Sequence, residues 1–285
     1  MSGADRGKAS AAENLTCKFS RQGGIFPPLF VVLGSMGSLL NIRCQDCVFQ
    51  NIQAVVFDKD GTLADSHAFL WKLGNWRLQF LEKQVPGIQA SLRAAFGMSN
   101  GKVEPMGLLA IGTRRENEIA AAAYLAAAGY EWIEALTSVR TAFRAADREL
   151  GRKADETPLF AGVLQTLQKL CEADCKIGML SADTTANVKD FVKRYQLESY
   201  FHLQQGTDDQ PGKPDPFLFW QACQKFNVAP QQVLMIGDSS ADIEMARAAG
   251  AAGCIAVAWG WTPPTQLRGA SVTISHLNEI QIERI

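Results

Sequence analysis

The chain has 285 residues, of which 47% are hydrophobic and 20% are charged. This balance is typical of a globular protein and excludes a largely disordered chain. The net charge is −1, from 28 Lys and Arg against 29 Asp and Glu. A chain with no surplus of positive charge is not expected to bind nucleic acid electrostatically. The three histidines lie far apart, so carboxylates are expected to carry any acid–base chemistry.

Residues 1–50 show no regular pattern and predict a poorly ordered N-terminal extension. The apolar segment Ile25–Ile42 inside it contains Pro27 and Pro28 and only just reaches the ~18 residues of a short membrane span. We therefore expect no membrane span, and the alternatives are a targeting segment or a biological start at Met36. The odd number of cysteines favours a reducing, cytoplasmic location; an organellar or exported protein is the alternative if residues 1–42 direct targeting.

The first regular element is a short apolar run at residues 53–57, which predicts a buried strand. The segment Asp58–Leu63 (DKDGTL) follows as a loop. Aromatic and leucine side chains then recur at helical spacing and predict a long helix with one apolar face: Phe69, Leu73, Trp76 and Phe80.

Residues 66–155 are expected to form an all-helical insertion after the first strand. Residues 97–112 are rich in glycine and predict a loop. Thr113 and Glu116 form a capping box at the start of an alanine-rich helix, which Gly129 ends. A second apolar stripe, between residues 132 and 150, predicts another helix.

From Pro158 onward, predicted helices and strands alternate, which indicates a parallel sheet built from right-handed crossovers. The sequence therefore predicts an α/β fold. The predicted helices are 159–171, 185–195, 216–226 and 241–249, and the predicted strands are 176–180, 200–203, 233–237 and 253–257.

Polar side chains follow three of these strands, and the sites of parallel sheets lie beyond the carboxyl ends of the strands. Asp58 and Asp60 follow the first strand, Ser181 and Asp183 follow the second, and Asp238 and Asp242 follow another. Carboxylates that converge without histidine offer hard oxygen ligands, which suit Mg²⁺.

Lys213 lies in a turn before a helix, in the segment GKPDP. Together with the Ser181 hydroxyl, backbone N–H groups and a cation, it would form a cradle for an anion, most naturally a phosphoryl group. The alternatives are that Ser181 only caps the next helix, that Asp242 is only a first-turn acid, and that Lys213 is a surface lysine.

Four segments in this order resemble the motifs of the haloacid dehalogenase superfamily: Asp58–Leu63, Leu180–Ser181, Lys213–Pro214 and Gly237–Asp242 (GDSSAD). The resemblance covers about residues 50–265. The helical insertion and the pair Asp65–Ser66 resemble the branch that contains phosphoglycolate phosphatases, which carry an α-helical cap. The resemblance implies a Rossmann-like core, with helices on both faces of its sheet, formed by residues 51–65 and 156–285, and a cap formed by residues 66–155.

The resemblance also implies roles for the site residues. Asp58 would be the nucleophile that forms an aspartyl-phosphate, and Asp60 the acid that protonates the leaving group and then the base that activates water. Asp242 would hold a metal-bound water or orient Lys213. Mg²⁺ would bind the Asp58 carboxylate, the Asp60 carbonyl and Asp238, and the phosphoryl oxygens would be held by Ser181, Ala182 and Lys213.

The function expected from this resemblance is Mg²⁺-dependent hydrolysis of a small phosphomonoester, such as phosphoglycolate. A phosphomutase on the same scaffold and a non-catalytic protein that binds a phosphorylated ligand are the alternatives. Release of inorganic phosphate from a panel of small phosphate esters, measured with and without Mg²⁺, would do most to decide among them. The sequence does not indicate an oligomeric state.

Arg114 and Arg115 occupy the first turn of the helix that Thr113 caps, where the helix dipole disfavours positive charge. Sequences often break a local rule at functional sites. We therefore predict that one of these arginines binds an anionic group on the leaving portion of the substrate. The alternative is that they are solvated or paired with Glu118.

Four cysteines precede two neighbouring strands of the predicted sheet and would lie at the end opposite the site: Cys44, Cys47, Cys171 and Cys175. A structural zinc site is one possibility for these four residues. Their spacing is irregular for such a site, so we expect free thiols instead.

Overall fold

A computed structural model describes residues 39–208, 210–259 and 263–285. Its strands are β1 (Leu40–Cys44), β2 (Cys47–Ile52), β3 (Ala54–Phe57), β4 (Met98–Ser99), β5 (Lys102–Val103), β6 (Lys176–Ser181), β7 (Leu203–Gly206), β8 (Val233–Gly237), β9 (Gly253–Val257), β10 (Val272–Ile274) and β11 (Gln281–Arg284). Its α-helices are α1 (His67–Gln84), α2 (Gln89–Ala95), α3 (Leu108–Ile111), α4 (Arg114–Ala127), α5 (Trp132–Glu149), α6 (Lys153–Glu156), α7 (Val163–Glu172), α8 (Thr185–Arg194), α9 (Phe217–Phe226) and α10 (Ser240–Ala249).

The core is a six-stranded sheet in the order β10-β9-β8-β3-β6-β7, and every neighbouring pair is parallel. The predicted α/β fold with a parallel sheet is therefore confirmed. Alternate residues of β3 face opposite sides of the sheet: Val55 and Phe57 join the apolar cluster of α7 and α8, while Ala54 and Val56 join that of α9 and α10. Since both faces are covered by helices, the central strands carry apolar residues throughout.

The strands that carry the predicted site residues are neighbours in the sheet. β3 lies between β6 and β8, and Phe57 at its end is in register with Met179 on one side and with Ile236 on the other. The residues that follow these strands are therefore brought to one edge of the sheet, where the site residues were predicted to meet.

The helical insertion has an apolar cluster of its own, formed mainly by α1, α2, α4 and α5. The capping box of Thr113 and Glu116 begins α4, as predicted. The segment predicted as a loop, 97–112, instead contains the hairpin β4–β5 and the short helix α3.

The apolar face predicted for α1 is wrong in part. The structure buries Leu73 but leaves Trp76 and Phe80 only half-buried, stacked on each other with ring centroids 5.9 Å apart. The buried positions of the helix include Arg77 and Leu78, a stripe that a hydrophobic pattern misses because one of its members is charged.

The prediction that residues 1–50 are poorly ordered is wrong from residue 40 onward. β1 and β2 form a hairpin, and β1 also pairs with β11 at the far end of the chain, which gives a three-stranded antiparallel sheet. Leu40 and Ile42 of β1 are fully buried in the core. Because β1 depends on a partner more than 200 residues away, no local pattern shows it. Residues 1–38, which include Met36 and most of the apolar segment, lie outside the described residues, as does Trp261.

No helix in the described part of the chain is long and apolar enough to cross a membrane. The four cysteines considered for zinc do not gather into a metal-binding group among the described residues. Cys44 and Cys47 face each other across the β1–β2 turn, and Cys171 is exposed on α7. All four are free thiols, and burial raises the pKa of Cys44 to about 12, so this thiol stays protonated.

Candidate active site

Three carboxylates converge at the carboxyl end of the sheet. Asp58 follows β3, Asp238 follows β8, and Asp242 lies in the first turn of α10. Each offers an oxygen that lies within 4.8 Å of an oxygen of the other two, and all three residues are buried. Carboxylates this close repel one another unless a cation lies among them.

Lys213 supplies part of that positive charge. Its Nζ donates to Asp58 Oδ1 at 2.6 Å and to Asp242 Oδ1 at 2.6 Å, and the residue is buried. Burial lowers the pKa of Lys213, but Asp242 and Asp58 outweigh burial and hold the pKa above its usual value. The ammonium therefore stays charged beside Asp58, and Lys213 is no surface lysine.

Asp242 has two structural tasks. Its Oδ2 accepts hydrogen bonds from the Ser239 amide at 3.2 Å and the Ser239 hydroxyl at 2.6 Å, which completes a capping box at the start of α10. Its Oδ1 accepts from Lys213. Asp242 is therefore both a first-turn acid that caps α10 and a residue that contacts Lys213. The two interpretations that the sequence offered are compatible.

The three carboxylates carry more negative charge than Lys213 alone neutralises, which favours binding of a divalent cation. Asp58 Oδ2 is buried and has no hydrogen-bond partner among the described residues. Burial first, and then Asp58 and Asp242, raise the pKa of Asp238 well above its usual range, and burial raises the pKa of Asp58 to about 6 despite Lys213. Hard carboxylate oxygens in excess over cations fit Mg²⁺. Gly61 passes so close to Asp238 that a Cβ there would lie 2.1 Å from its Oδ2.

Asp60 takes part in a second ionic cluster, which sequence reasoning missed. Asp60 Oδ2 lies 2.7 Å from Lys59 Nζ and 3.0 Å from Lys153 Nζ. The same two lysines bind Asp183 Oδ2, at 3.3 Å and 2.7 Å respectively. Burial raises the pKa of Asp60, but Lys153 and then Lys59 outweigh it and hold the pKa below its usual value.

The signal for this cluster was faint in the sequence. Lys59 follows Asp58 directly, but a side chain adjacent in an extended segment is expected to point away from the site. Lys153 begins the short helix α6, close to the end of the insertion, and nothing in its local pattern distinguishes it from a solvent-exposed lysine. The strand-end position of Asp183 was visible, but its partners were not.

A small cavity of about 30 Å³ lies over the carboxylates. Ser181, at the end of β6, is buried there, and its Oγ accepts a hydrogen bond from the Asp183 amide at 3.1 Å. The predicted site residues that line this cavity are Asp58, Asp60, Ser181, Ala182, Lys213 and Asp238. Ser181 therefore has a local turn contact and also faces the site.

A larger cavity of about 440 Å³ adjoins the small one. Asp60 and Ala182 line both cavities, so Asp60 stands between the carboxylate group and the larger space. The larger cavity lies between the helical insertion and the core, and its apolar walls include Phe69, Leu73 and Leu109.

Arg114 and Arg115 both line the larger cavity, but they differ in their contacts. Arg114 Nε donates to Glu118 Oε1 at 2.9 Å, and a second guanidinium nitrogen donates to Asp147 Oδ2 at 2.7 Å. Pairing with Glu118, the alternative given above, thus holds for Arg114. Arg115 is exposed and makes no ion pair with any described residue.

Comparison with known proteins gives consistent results. Residues 52–250 match the profile of a family described as haloacid dehalogenase-like hydrolases. The phosphoglycolate phosphatase of Escherichia coli (strain K12) is 32% identical over 206 residues, which are 71% of this chain and 80% of the relative.

Two solved structures share the fold. One is a predicted phosphoglycolate phosphatase from Haemophilus somnus 129PT, with a TM-score of 0.59 and 20% identity over 79% of this chain and 95% of the other. The other is the β-phosphoglucomutase of Clostridium difficile, with a TM-score of 0.56 and 19% identity over 80% of this chain and 92% of the other.

Proposed function

This chain belongs to the haloacid dehalogenase-like hydrolase family and is a phosphatase. We propose that it hydrolyses a small phosphomonoester with Mg²⁺ bound, and that the reaction passes through a phosphoaspartate on Asp58. The observation that carries the proposal is the setting of Asp58. One of its oxygens binds Lys213 at 2.6 Å, and the other is buried and unpartnered among the described residues, in the small cavity beside Asp238.

Asp58 attacks phosphorus with a carboxylate oxygen, and the ester oxygen leaves with the rest of the substrate. Lys213 and the backbone N–H groups beyond β6 hold the phosphoryl oxygens, together with Ser181 and Ala182. A donor placed in this way typically contributes ~3–4 kcal/mol to transition-state stabilisation. Water then attacks the phosphoaspartate, which releases inorganic phosphate and restores Asp58.

Asp60 lines both cavities, which supports a role for it beside the departing ester oxygen. It gives a proton to the leaving oxygen and then takes one from the attacking water. Asp58, Asp238 and the Asp60 carbonyl would hold Mg²⁺, while Asp242 orients Lys213 or holds a water of the ion. When bound, the ion neutralises charge on the phosphoryl group.

The substrate that we propose is an acidic phosphate ester, phosphoglycolate or a similar small molecule. The relative from Escherichia coli, named a phosphoglycolate phosphatase, supports this choice. The arginines on the wall of the larger cavity support it as well, because a guanidinium binds a carboxylate well.

The test is release of inorganic phosphate from phosphoglycolate and from a panel of neutral and sugar phosphates, in Mg²⁺ and in a chelator. We expect phosphate release that vanishes in the chelator and returns with Mg²⁺. The matched control is Asp58→Asn, which keeps the size of the side chain but cannot form the acyl-phosphate, and it should lose nearly all turnover.

Full activity in the chelator, or Asp58→Asn turnover within about tenfold of the unaltered protein, would overturn the mechanism. Conversion of a sugar phosphate into its isomer without release of phosphate would instead identify a phosphomutase. Binding of phosphate esters without any turnover would leave a binding protein.

A further inference from the structure

A third arginine of the larger cavity, Arg77, has an unusual setting. It lies on α1 with only 5% of its surface exposed, and it lines the cavity. Its guanidinium carbon lies 4.1 Å from the centroid of the buried Phe143 ring, so the group is stacked on an aromatic face. Its Nε is buried and has no hydrogen-bond partner among the residues that the structure describes. Arg77 makes no ion pair with any residue that the structure describes.

A buried guanidinium without a carboxylate is costly, since an unpaired charge has lost its hydration. Burial, followed by the repulsion of Arg114, lowers the pKa of Arg77 to about 10, and the attraction of Asp147, Glu118 and Asp183 does not compensate. At neutral pH the group is still charged. The fold thus holds a cation at this wall of the cavity, and no carboxylate among the described residues lies close enough to form an ion pair with it.

The carboxylates of the cavity are already engaged. Asp60 and Asp183 bind Lys59 and Lys153, and Asp147 binds Arg114. Asp208 accepts hydrogen bonds from the Thr185 amide and hydroxyl. None of these groups forms a hydrogen bond or an ion pair with Arg77 in the part of the chain that the structure describes, so the guanidinium is available to a ligand in the cavity.

We propose that Arg77 is the residue that binds the anionic group on the leaving portion of the substrate, and that this group is a carboxylate. The proposal rests on the proposed function, because it concerns the same cavity and names the substrate class as phosphate esters of hydroxy acids. The stack on Phe143 fixes the plane of the guanidinium, so its donors are oriented before a ligand arrives.

A carboxylate fits this wall better than a second phosphate. Asp147, Asp183 and Glu118 lie close enough to act on the Arg77 charge, so a dianion would meet more repulsion than a monoanion. Apolar side chains on the same cavity, among them Phe69, Leu73 and Leu109, suit the carbon chain between the ester oxygen and the acid.

The first experiment compares phosphoglycolate with 2-hydroxyethyl phosphate, an ester of nearly the same size that has a hydroxyl in place of the carboxylate. Because its leaving portion carries no charge, we call it the neutral ester. For Arg77→Met, the ratio of kcat/KM for the acidic ester to that for the neutral ester should fall about 10- to 100-fold, the usual effect of removing a charged hydrogen-bond partner. Arg144→Met removes an exposed arginine of α5 outside the cavity and should leave the ratio unchanged. An unchanged ratio in Arg77→Met would overturn the proposal.

Arg77→Met removes a buried side chain, so its folding is checked by circular dichroism and Tm. If it does not fold, Arg77→Lys decides: a lysine keeps the charge but loses the planar pair of donors, so the ratio should fall by a smaller factor. A ratio equal to that of the unaltered protein in Arg77→Lys, with Arg77→Met unfolded, would assign Arg77 to stability instead.

Binding of glycolate alone, followed by ligand-observed NMR, separates the two proposals because it needs no turnover. We expect glycolate to bind the unaltered protein and Arg144→Met, and to bind Arg77→Met or Arg77→Lys much more weakly. If no ester is hydrolysed but glycolate binding depends on Arg77, the proposed function fails and this inference stands. Glycolate binding that is absent, or equal in all variants, overturns the inference whatever the enzyme hydrolyses.

Discussion

At Asp60, two lysines favour the ionised form of a carboxyl that our mechanism needs in both protonation states. Lys153 and Lys59 hold its pKa below the usual value, so the ligand-free protein carries Asp60 as a carboxylate. The arrival of a phosphate ester adds negative charge close by and favours protonation. The same two lysines also bind Asp183, so Asp60 shares their positive charge with a second carboxylate.

Asp60→Asn should slow both formation and hydrolysis of the phosphoaspartate, by ~10²–10⁴-fold, because an amide neither donates a proton to the leaving oxygen nor accepts one from water. Rapid-quench measurement of the phosphorylated protein separates the two steps. Asp190→Asn, which changes a carboxylate bound to Arg152 outside the site, is the control. Dephosphorylation at the normal rate in Asp60→Asn would give Asp60 another role.

Residues that follow a strand were predictable, because a sheet brings strand ends together whatever the loops do. Asp58, Ser181 and Asp238 were placed in this way, and the structure brings them together. Lys153 and Arg77 were not predictable. Each belongs to the helical insertion or to its junction with the core, and the direction of its side chain depends on how the two parts pack.

At the scale of the element, the turn after β3 is shaped around one glycine. Gly61 has φ +89, and a Cβ at this position would lie 2.1 Å from Asp238 Oδ2 and 2.6 Å from its Cγ. A side chain here is therefore strained by the backbone and also displaces a proposed metal ligand. The turn can pass this close to the Asp238 carboxylate only because residue 61 has no side chain.

Gly61→Ala should lower both stability and Mg²⁺ affinity. The matched control is Gly87→Ala, at φ +90, where a Cβ would meet no atom within 4 Å, so that it reports the backbone strain alone. Isothermal calorimetry with Mg²⁺ and Tm in a chelator check both variants. The Mg²⁺ affinity should fall in Gly61→Ala only, whereas equal affinities in the two variants would show that Asp238 does not hold the ion.

Helices and strands with a strong local pattern were predicted within a few residues, and the misses have local physical reasons. The helix predicted from residue 159 begins at Val163, because Leu159 pairs with Ala64 in a short bridge. β7 spans Leu203–Gly206 and not residues 200–203, since Tyr200 closes a turn with Leu197.

At the scale of the whole molecule, the charged side chains of the candidate site form two neighbouring clusters. Around Asp58, three carboxylates face Lys213, an excess of negative charge. Around Asp60, two carboxylates face Lys59 and Lys153 and are balanced. Only the first cluster has a deficit that a divalent cation fills, while the second holds its charges in place without one.

This division predicts how Mg²⁺ and pH act together on stability. In the metal-free protein the pKa of Asp58 is raised to about 6, and that of Asp238 is raised as well. A raised carboxyl pKa gives stability that is complete below the pKa of the unfolded chain and is lost as pH rises through the folded value. The metal-free fold should therefore lose the stability that these two groups contribute as the pH rises above about 4. Most of the contribution of Asp58 should be lost once the pH is somewhat above 6.

Mg²⁺ binds the ionised carboxylates, so it competes with their protons. The rise in Tm on adding Mg²⁺ should accordingly be larger at about pH 7.5 than at about pH 5, and at a concentration of about 100 Kd it corresponds to ~2.7 kcal/mol. Thermal unfolding at both pH values, with Mg²⁺ and with a chelator, measures the difference directly.

Asp238→Asn removes one of the two groups and should shrink the pH dependence of the Mg²⁺ effect, whereas Asp190→Asn should leave it as it is. A rise in Tm that is the same at both pH values would mean that the ion binds away from Asp58 and Asp238.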